Sequence, residues 1–341
     1  MDTAATAVFA KTDPAYTWIL QDFSAKTLVY INFMCNNSAH PEKQGIKSGD
    51  RMKRVLTIQD ISCLGKCSST VALPIISAMG VETVILPTAL LSAHTGFKGN
   101  TFLDLSEELL PIAEHWKREN VHFDAVYTGY LGTEAEIETV KQIIHMFRED
   151  GTLVLVDPVM ADHGKLYRGF SDSYVEENAS LCAEANFIVP NLTESCLLTG
   201  MPYREDGGED YLRELLAGLG KLCGGTAAIT GIGLSAGHTG VVAETKENGR
   251  HEFFSCQSAR IPLSYHGTGD IFASVTVGAL MRGFPPKEAL QTAVDYVSRT
   301  ISVTAEDPAR TGKNEKFGVN FEETLPELVR KVNAAGSRSG M

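Results

Sequence analysis

The sequence has no uninterrupted apolar run of about 18 residues, so it carries no signature of a membrane-spanning helix. It is also short of positive charge. Its 30 Lys and Arg stand against 42 Asp and Glu, a formal net charge of −12. That balance excludes general binding to nucleic acid or to an anionic membrane surface. It leaves room for a phosphorylated ligand, which needs only a local positive field. Paired CxxC motifs are missing. The seven cysteines are scattered and odd in number, and Cys63 and Cys67 form a CxxxC with no second pair. Neither a metal site nor a disulfide framework is indicated, and reduced thiols are the expected state. There is no GxxxxGK[ST], since "LGKCSS" lacks the upstream glycine. "TGIGLSAG" after Thr230 misses GxGxxG by one residue and lies far from the first strand. A nicotinamide site there is a weak rival, because Glu244, its only candidate ribose ligand, falls within a hairpin pattern. Internal repeats and low-complexity tracts are absent.

What is present is an alternating pattern. The 341 residues are 43% hydrophobic and 21% charged, ordinary for a soluble domain. Residues 1–51 stand apart. "TWILQDFSAKTLVYINFMCNN" lacks the basic start and small-residue cleavage site of a signal peptide, and "NNSAHPEKQGIKSGD" reads as a linker. We read 1–51 as a dispensable extension or an upstream mis-assigned start, with a small accessory element as the alternative. The expected domain is 52–335, with 336–341 as a tail.

From Arg54 onward, short β-branched runs ("RVLTIQ", "ETVILP", "FDAVYTG", "TLVLVD", "NFIVPN", "TAAITG") alternate with helical patterns such as "SSTVALPIISAMG" and "TEAEIETVKQIIHMFRED". "TGVVAETKENGRHEFFSC" reads as a hairpin turning at Asn248–Gly249. Two helices, about 270–282 and 286–304, close the domain. Alternation of this kind means βαβ crossovers and a mostly parallel sheet covered on both faces. In such sheets ligands bind beyond the C-terminal strand ends. The polar residues there are Gln59–Asp60, Ser92 to Thr95, Thr128 to Tyr130, Asp157, Asn191 and Thr230.

"SYHGTGDIFASVTVGALMRG" then poses a specific problem. Glycine costs about 1 kcal/mol in a helix relative to alanine, so Gly267 and Gly269 do not serve helix stability. They let backbone N–H groups converge and a ligand approach closely, and the helix that follows adds its positive end. Asp270 would repel an anion unless it handles a proton. It reads either as a helix cap or as a general base for phosphoryl transfer, with Gly267, Thr268 and Gly269 holding the phosphoryl group. In "DPVMADHGKLY", Asp157 ends a strand and suits Mg²⁺ held mainly through water. Asp162 and Lys165 follow on a loop able to cover phosphates. In "VPNLTE", Asn191 and Glu194 fit a capping box and equally a hydrated Mg²⁺. His94 reads as a satisfied loop histidine.

Taken in order, "TIQD…GKCSSTVALPIISAMG", "LSAHTGF", "TGY", "DPVMAD", "VPNLTE", "AAITG" and "GTGD" resemble the vitamin B6 kinase branch of the ribokinase-like family over residues 53–305. The resemblance implies a three-layer α/β/α fold with a mostly parallel twisted sheet and an edge hairpin. It implies ATP-dependent phosphorylation of a 5′-hydroxymethyl group, with Asp270 as base and Gly267, Thr268 and Gly269 as anion hole. Asp157 and Glu194 would hold Mg²⁺. Asp162, Asn191 and Thr230 would lie by the ATP phosphates, and Thr95 and Tyr130 by the substrate ring. A monovalent cation (K⁺ or Na⁺) and a cytoplasmic homodimer are also implied. Many members carry serine where Asp60 stands. A carboxylate accepts from a protonated ring nitrogen or amine but cannot donate to a phenolate, which tilts preference toward pyridoxamine or a hydroxymethylpyrimidine. The alternative for Asp60 is a cap on the following turn. The rival activities are a hydroxymethylpyrimidine kinase, against which Thr268 argues mildly, and a silent pyridoxal-phosphate-binding protein, against which the acid set Asp157, Glu194 and Asp270 argues.

Overall fold

The computed structural model describes residues 51–247, 250–308 and 315–336. The extension 1–50, the turn Asn248–Gly249 and the last residues of the tail lie outside the described residues.

β1 (Arg54–Ser62) is apolar on both faces. Val55 points to one layer of helices, Leu56 and Ile58 to the other, and all three are fully buried. β2 (Glu82–Leu91), β4 (Ala125–Thr128), β5 (Leu153–Val156), β8 (Phe187–Ile188) and β9 (Thr226–Ile232) join it in parallel. β3 (Phe102–Asp104) closes one edge antiparallel to β2. At the other edge β10 (His238–Glu247) and β11 (Arg250–Ala259) form the expected hairpin, Glu247 opposite Arg250. The strand order β11-β10-β9-β8-β5-β4-β1-β2-β3 is that of a mostly parallel α/β sheet.

Helices cover both faces. α1 (Ser69–Ala78), α7 (Thr268–Met281), α8 (Pro286–Glu306) and α9 (Phe321–Gly336) pack on one side, centred on Ile75, Val275, Leu290 and Val332. α2 (Ser106–Arg118), α3 (Glu134–Phe147), α4 (Asp172–Ala183), α5 (Leu192–Thr199) and α6 (Glu209–Leu222) pack on the other, through Leu109, Ile143, Leu181 and Leu215. Buried side chains on this scale, each contributing about 1.5–3 kcal/mol, are what hold the strand ends in register. No helix among the described residues is long and apolar enough to cross a membrane.

Three features differ from the sequence reading. α9 follows the two helices expected to close the domain; it buries Phe321, Leu328 and Val332 despite Pro326 within it. β3 is three exposed residues with no apolar period to reveal it. Ala161–Asp162 (β6) and Lys165–Leu166 (β7) form a small separate hairpin where a loop was expected.

Candidate active site

Because β2, β1, β4, β5, β8 and β9 are parallel neighbours, their C-terminal ends share one rim. The rim therefore carries Asp60 from β1, Tyr130 after β4, Asp157 after β5, and Asn191 and Thr230, which bridge β8 to β9. α7 brings Asp270 to the same place. Its carboxyl lies within electrostatic range of Asp60, and Asp157 feels Glu194 and then Asp270. Tyr130 is half-buried and close enough to Asp60 for that charge to raise its hydroxyl pKa, after the larger effect of burial. Residues up to 210 positions apart in the chain thus form one acidic cluster.

The cluster has no cationic side chain of its own. Asp60 is 4% exposed, and its Oδ2 accepts from Ser62 Oγ at 2.7 Å. Among the described residues no Lys, Arg or His forms an ion pair with Asp60, Asp157, Glu194 or Asp270. Burial dominates the consequence. It pushes the Asp270 carboxyl up to about 7, with the Asp60 charge adding and the N–H groups of Ser68 and Asp270 itself opposing. It raises Asp157 well above the carboxylate range.

Glu194 is held differently. Its Oε1 accepts from Met160 N–H at 3.1 Å and Ala161 N–H at 3.4 Å, and its Oε2 from Asn191 N–H at 2.8 Å. Asn191 Oδ1 in turn accepts from Glu194 N–H at 3.0 Å, completing a capping box at the start of α5. Asn191 Nδ2 donates to the Ala161 carbonyl at 2.7 Å, and Gly164 N–H donates to Thr193 Oγ1 at 2.9 Å. Glu194, 2% exposed, therefore fastens the β6–β7 hairpin to α5. Burial outweighs these donors and lifts its carboxyl to about 7. The capping reading of "VPNLTE" is realised in this carboxylate.

This arrangement bears on a divalent cation. Among the described residues no three His, Cys, Asp or Glu side chains converge tightly enough to cage a metal ion. Asp157 offers carboxylate oxygens unclaimed by any cation, and Asp162, exposed on the hairpin, accepts from the neighbouring His163 N–H at 2.8 Å, with that residue's Nε2 3.5 Å from its other oxygen. Such a donor set fits Mg²⁺ held through water and ligand phosphates.

At the glycine-rich turn, Gly267 adopts φ 79° as the N-cap of α7, and no side chain caps the helix. Thr268 Oγ1 is spent on the Tyr265 carbonyl at 3.1 Å. The first-turn N–H groups of Thr268 and Gly269 are among those a helix leaves without an intrahelical acceptor. Nothing lies within 4 Å of where a Gly269 Cβ would be, so a ligand can approach that backbone.

The remaining expected residues sit around this centre. Thr95 is exposed on the loop after β2. His94 beside it is satisfied, as expected: Nδ1 accepts from Gly96 N–H at 3.1 Å, and Nε2 bonds the Lys316 carbonyl at 2.7 Å. Its ring lies 4.3 Å from that of His266, just ahead of Gly267. Thr230 is half-buried on β9. Tyr130 packs on Phe170, which stacks on Tyr174 at 3.8 Å.

Tyr167 carries no site signal in the sequence, and Cys67 none beyond the unpaired CxxxC. Tyr167 is exposed as a residue, but its hydroxyl is raised by desolvation and then by the charges of Glu194, Asp162, Asp157 and Asp270, so it lies within electrostatic range of the acidic cluster. The Cys67 thiol is raised by burial, Asp270 and Asp60. Tyr167 lies within the quoted "DPVMADHGKLY", where the turn at Gly164 was the available signal that it folds back.

Comparisons with known proteins agree with this fold. A model of the phosphomethylpyrimidine kinase family matches residues 73–316. A Bacteroides thetaiotaomicron relative assigned to the phosphomethylpyrimidine kinases, solved with pyridoxal, is 36% identical; the match covers 82% of this chain and 96% of that one, with a TM-score of 0.75. Pyridoxal kinase from Lactobacillus plantarum is 32% identical over 82% of this chain and 98% of that one, with a TM-score of 0.74. The pyridoxal kinase of Arabidopsis thaliana is 28% identical over 272 residues, 76% of this chain and 84% of that protein.

Proposed function

The chain belongs to the phosphomethylpyrimidine kinase family, and from that premise we propose that it transfers the γ-phosphoryl group of ATP to the 5′-hydroxymethyl oxygen of a vitamin B6 vitamer. The observation that carries this reading is the meeting of Asp270, Asp60 and Asp157 beside an uncapped glycine-rich helix start. Asp270 takes the hydroxymethyl proton. The oxygen forms its bond to the γ-phosphorus while the bond to the ADP oxygen breaks. N–H groups of the Gly267–Gly269 segment stabilise the charge on the phosphoryl oxygens. Asp162, Asn191 and Thr230 border the nucleotide phosphates. Asp157 and Glu194 would hold Mg²⁺, which would supply positive charge to neutralise the phosphates. Asp60, Thr95 and Tyr130 contact the ring. The resemblance also suggests a monovalent cation and a cytoplasmic homodimer; sedimentation and K⁺ or Na⁺ titration of turnover would check them.

The second reading, phosphorylation of a hydroxymethylpyrimidine, is favoured by the family match itself and uses the same base and anion hole. One experiment separates the two. The protein is incubated with Mg-ATP and, separately, pyridoxal, pyridoxamine, pyridoxine and hydroxymethylpyrimidine. ADP and phosphate ester are then measured. Ester from the pyridines with at least tenfold higher kcat/KM supports the B6 reading; ester mainly from the hydroxymethylpyrimidine overturns it in favour of the second reading, and ester from none overturns both.

Asp60 sets the preference among vitamers. A buried carboxylate with no cationic partner accepts best from a protonated amine or pyridinium. Asp60→Ser should lower kcat/KM for pyridoxamine relative to pyridoxal by about tenfold, the value of one charge-assisted hydrogen bond. An unchanged ratio removes Asp60 from specificity.

A further inference from the structure

We propose that Ser68 is a positioning residue for Asp270: its backbone is held in a glycine-type conformation so that its N–H faces the Asp270 carboxyl from the start of α1. The inference rests on Asp270 being the base.

Ser68 has φ 52° and ψ −135°, a combination that residues with a Cβ rarely adopt. Gly65 at φ 117° and Lys66 at φ 53° precede it in the same loop. Ser68 is 5% exposed, and it is the N-cap of α1. Yet its hydroxyl makes no capping hydrogen bond, so the usual reason for serine at this position is absent. What it supplies is backbone. Its carbonyl accepts from Val71 and Ala72 N–H, each at 3.0 Å. Its N–H and that of Asp270 itself are the backbone donors facing the Asp270 carboxyl.

The surroundings enforce this conformation. Thr70 Oγ1 donates to the Cys67 carbonyl at 2.8 Å. Lys66 Nζ donates to the Val319 carbonyl at 3.1 Å and pairs with Glu322 at 2.7 Å. The Gly267 Cα lies so close to the Lys66 carbonyl that a Cβ there would collide with it. The loop is thus wedged between α9 and the glycine turn. Strain persists only where neighbours over-determine it, and it concentrates at functional sites.

The electrostatics give the strain a purpose. The groups around the Asp270 carboxyl are Asp60 from β1, the Cys67 thiol, the Tyr127 hydroxyl from β4, Asp157 after β5 and Tyr167 from the hairpin. None is cationic. The Ser68 N–H, with the positive end of α1 behind it, is a fixed donor that favours the ionised, proton-accepting form.

The test compares Ser68→Gly, Ser68→Ala and Ser68→Val with the parent, with Asp270→Asn in the same assay. Glycine relaxes the strain and keeps the N–H in place, so Ser68→Gly should raise Tm by about 2–4 °C. Valine resists positive φ, so Ser68→Val should have a kcat roughly tenfold below Ser68→Gly at similar KM for both substrates. Ser68→Ala should rank with Ser68→Gly in kcat. A lowered Tm for Ser68→Gly overturns the proposal, and so does parental kcat in Ser68→Val or an alanine loss equal to the valine loss. If Ser68→Val does not fold, the glycine and alanine arms decide. Full turnover in Asp270→Asn instead fails the base assignment, a result distinct from any Ser68 outcome.

Discussion

Asp270→Asn should lower kcat by roughly 10²–10⁴-fold, the usual contribution of a general base, and at the same time make the protein more stable at pH 8. The two effects have one cause. Burial holds the Asp270 carboxyl at about 7 in the folded chain against an ordinary value of 3.8. Below pH 3.8 both folded and unfolded chains keep the proton. As pH rises toward 7 the unfolded chain has released it and the folded chain has not, so stability falls across that window and levels off above it. A difference of about three units corresponds to roughly 4 kcal/mol above pH 7. Asparagine fills the same space, accepts from the Ser68 N–H and carries no charge. Its Tm advantage should therefore be greatest near pH 8 and shrink toward pH 5. In the parent, the acidic limb of kcat/KM should fall near pH 7. A thermal melt series and a rate profile over the same buffers check both. A variant that is inactive but no more stable at pH 8 would detach the base role from the burial argument.

The second large effect is at Glu194. Glu194→Ala leaves the Met160, Ala161 and Asn191 N–H groups without their acceptor. Buried donors stranded in this way cost about 1–3 kcal/mol each, so a loss of roughly 3–5 kcal/mol is expected. Glu194→Gln retains acceptor capacity on one oxygen and should lose less than half as much. Turnover should fall with the hairpin rather than with the fold. Released from α5, the β6–β7 hairpin no longer holds Asp162 and Tyr167 near the cluster, so KM for ATP should rise before Tm has dropped far. Chemical denaturation with parallel ATP titrations measures the two separately. If alanine and glutamine prove equivalent and neither moves KM, Glu194 is not the fastening of the hairpin.

These two residues also mark what could be read from the chain. The parallel core was legible because β1, β4, β5, β8 and β9 are buried on both faces and bounded by polar strand ends. Once that topology is granted, Asp60, Asp157 and Asp270 must meet. Asp270 was legible for a local reason: a glycine pair before an apolar helix has few other uses. Glu194 was only half legible. Its cap partner Asn191 is three residues away, but Met160 and Ala161, which its other oxygen accepts from, are more than 30 residues back on a hairpin of two-residue strands. No period announces such a hairpin, because side chains of α5 hold it in place. Ser68 was illegible altogether. Residue type suggests a helix cap, whereas the φ of 52° is imposed by loops that meet only after folding. α9 lies beyond a charged, proline-containing stretch, and its apolar face is spaced so that Pro326 interrupts it in the sequence but not in the packing.

The most direct measurement is a crystal structure of the protein with Mg²⁺, a non-hydrolysable ATP analogue and pyridoxamine. The γ-phosphate is predicted against the N–H groups of Thr268 and Gly269, with the vitamer's hydroxymethyl oxygen within hydrogen-bond distance of the Asp270 carboxyl. Nucleotide density away from that turn, or a vitamer whose hydroxymethyl group points away from Asp270, would contradict it.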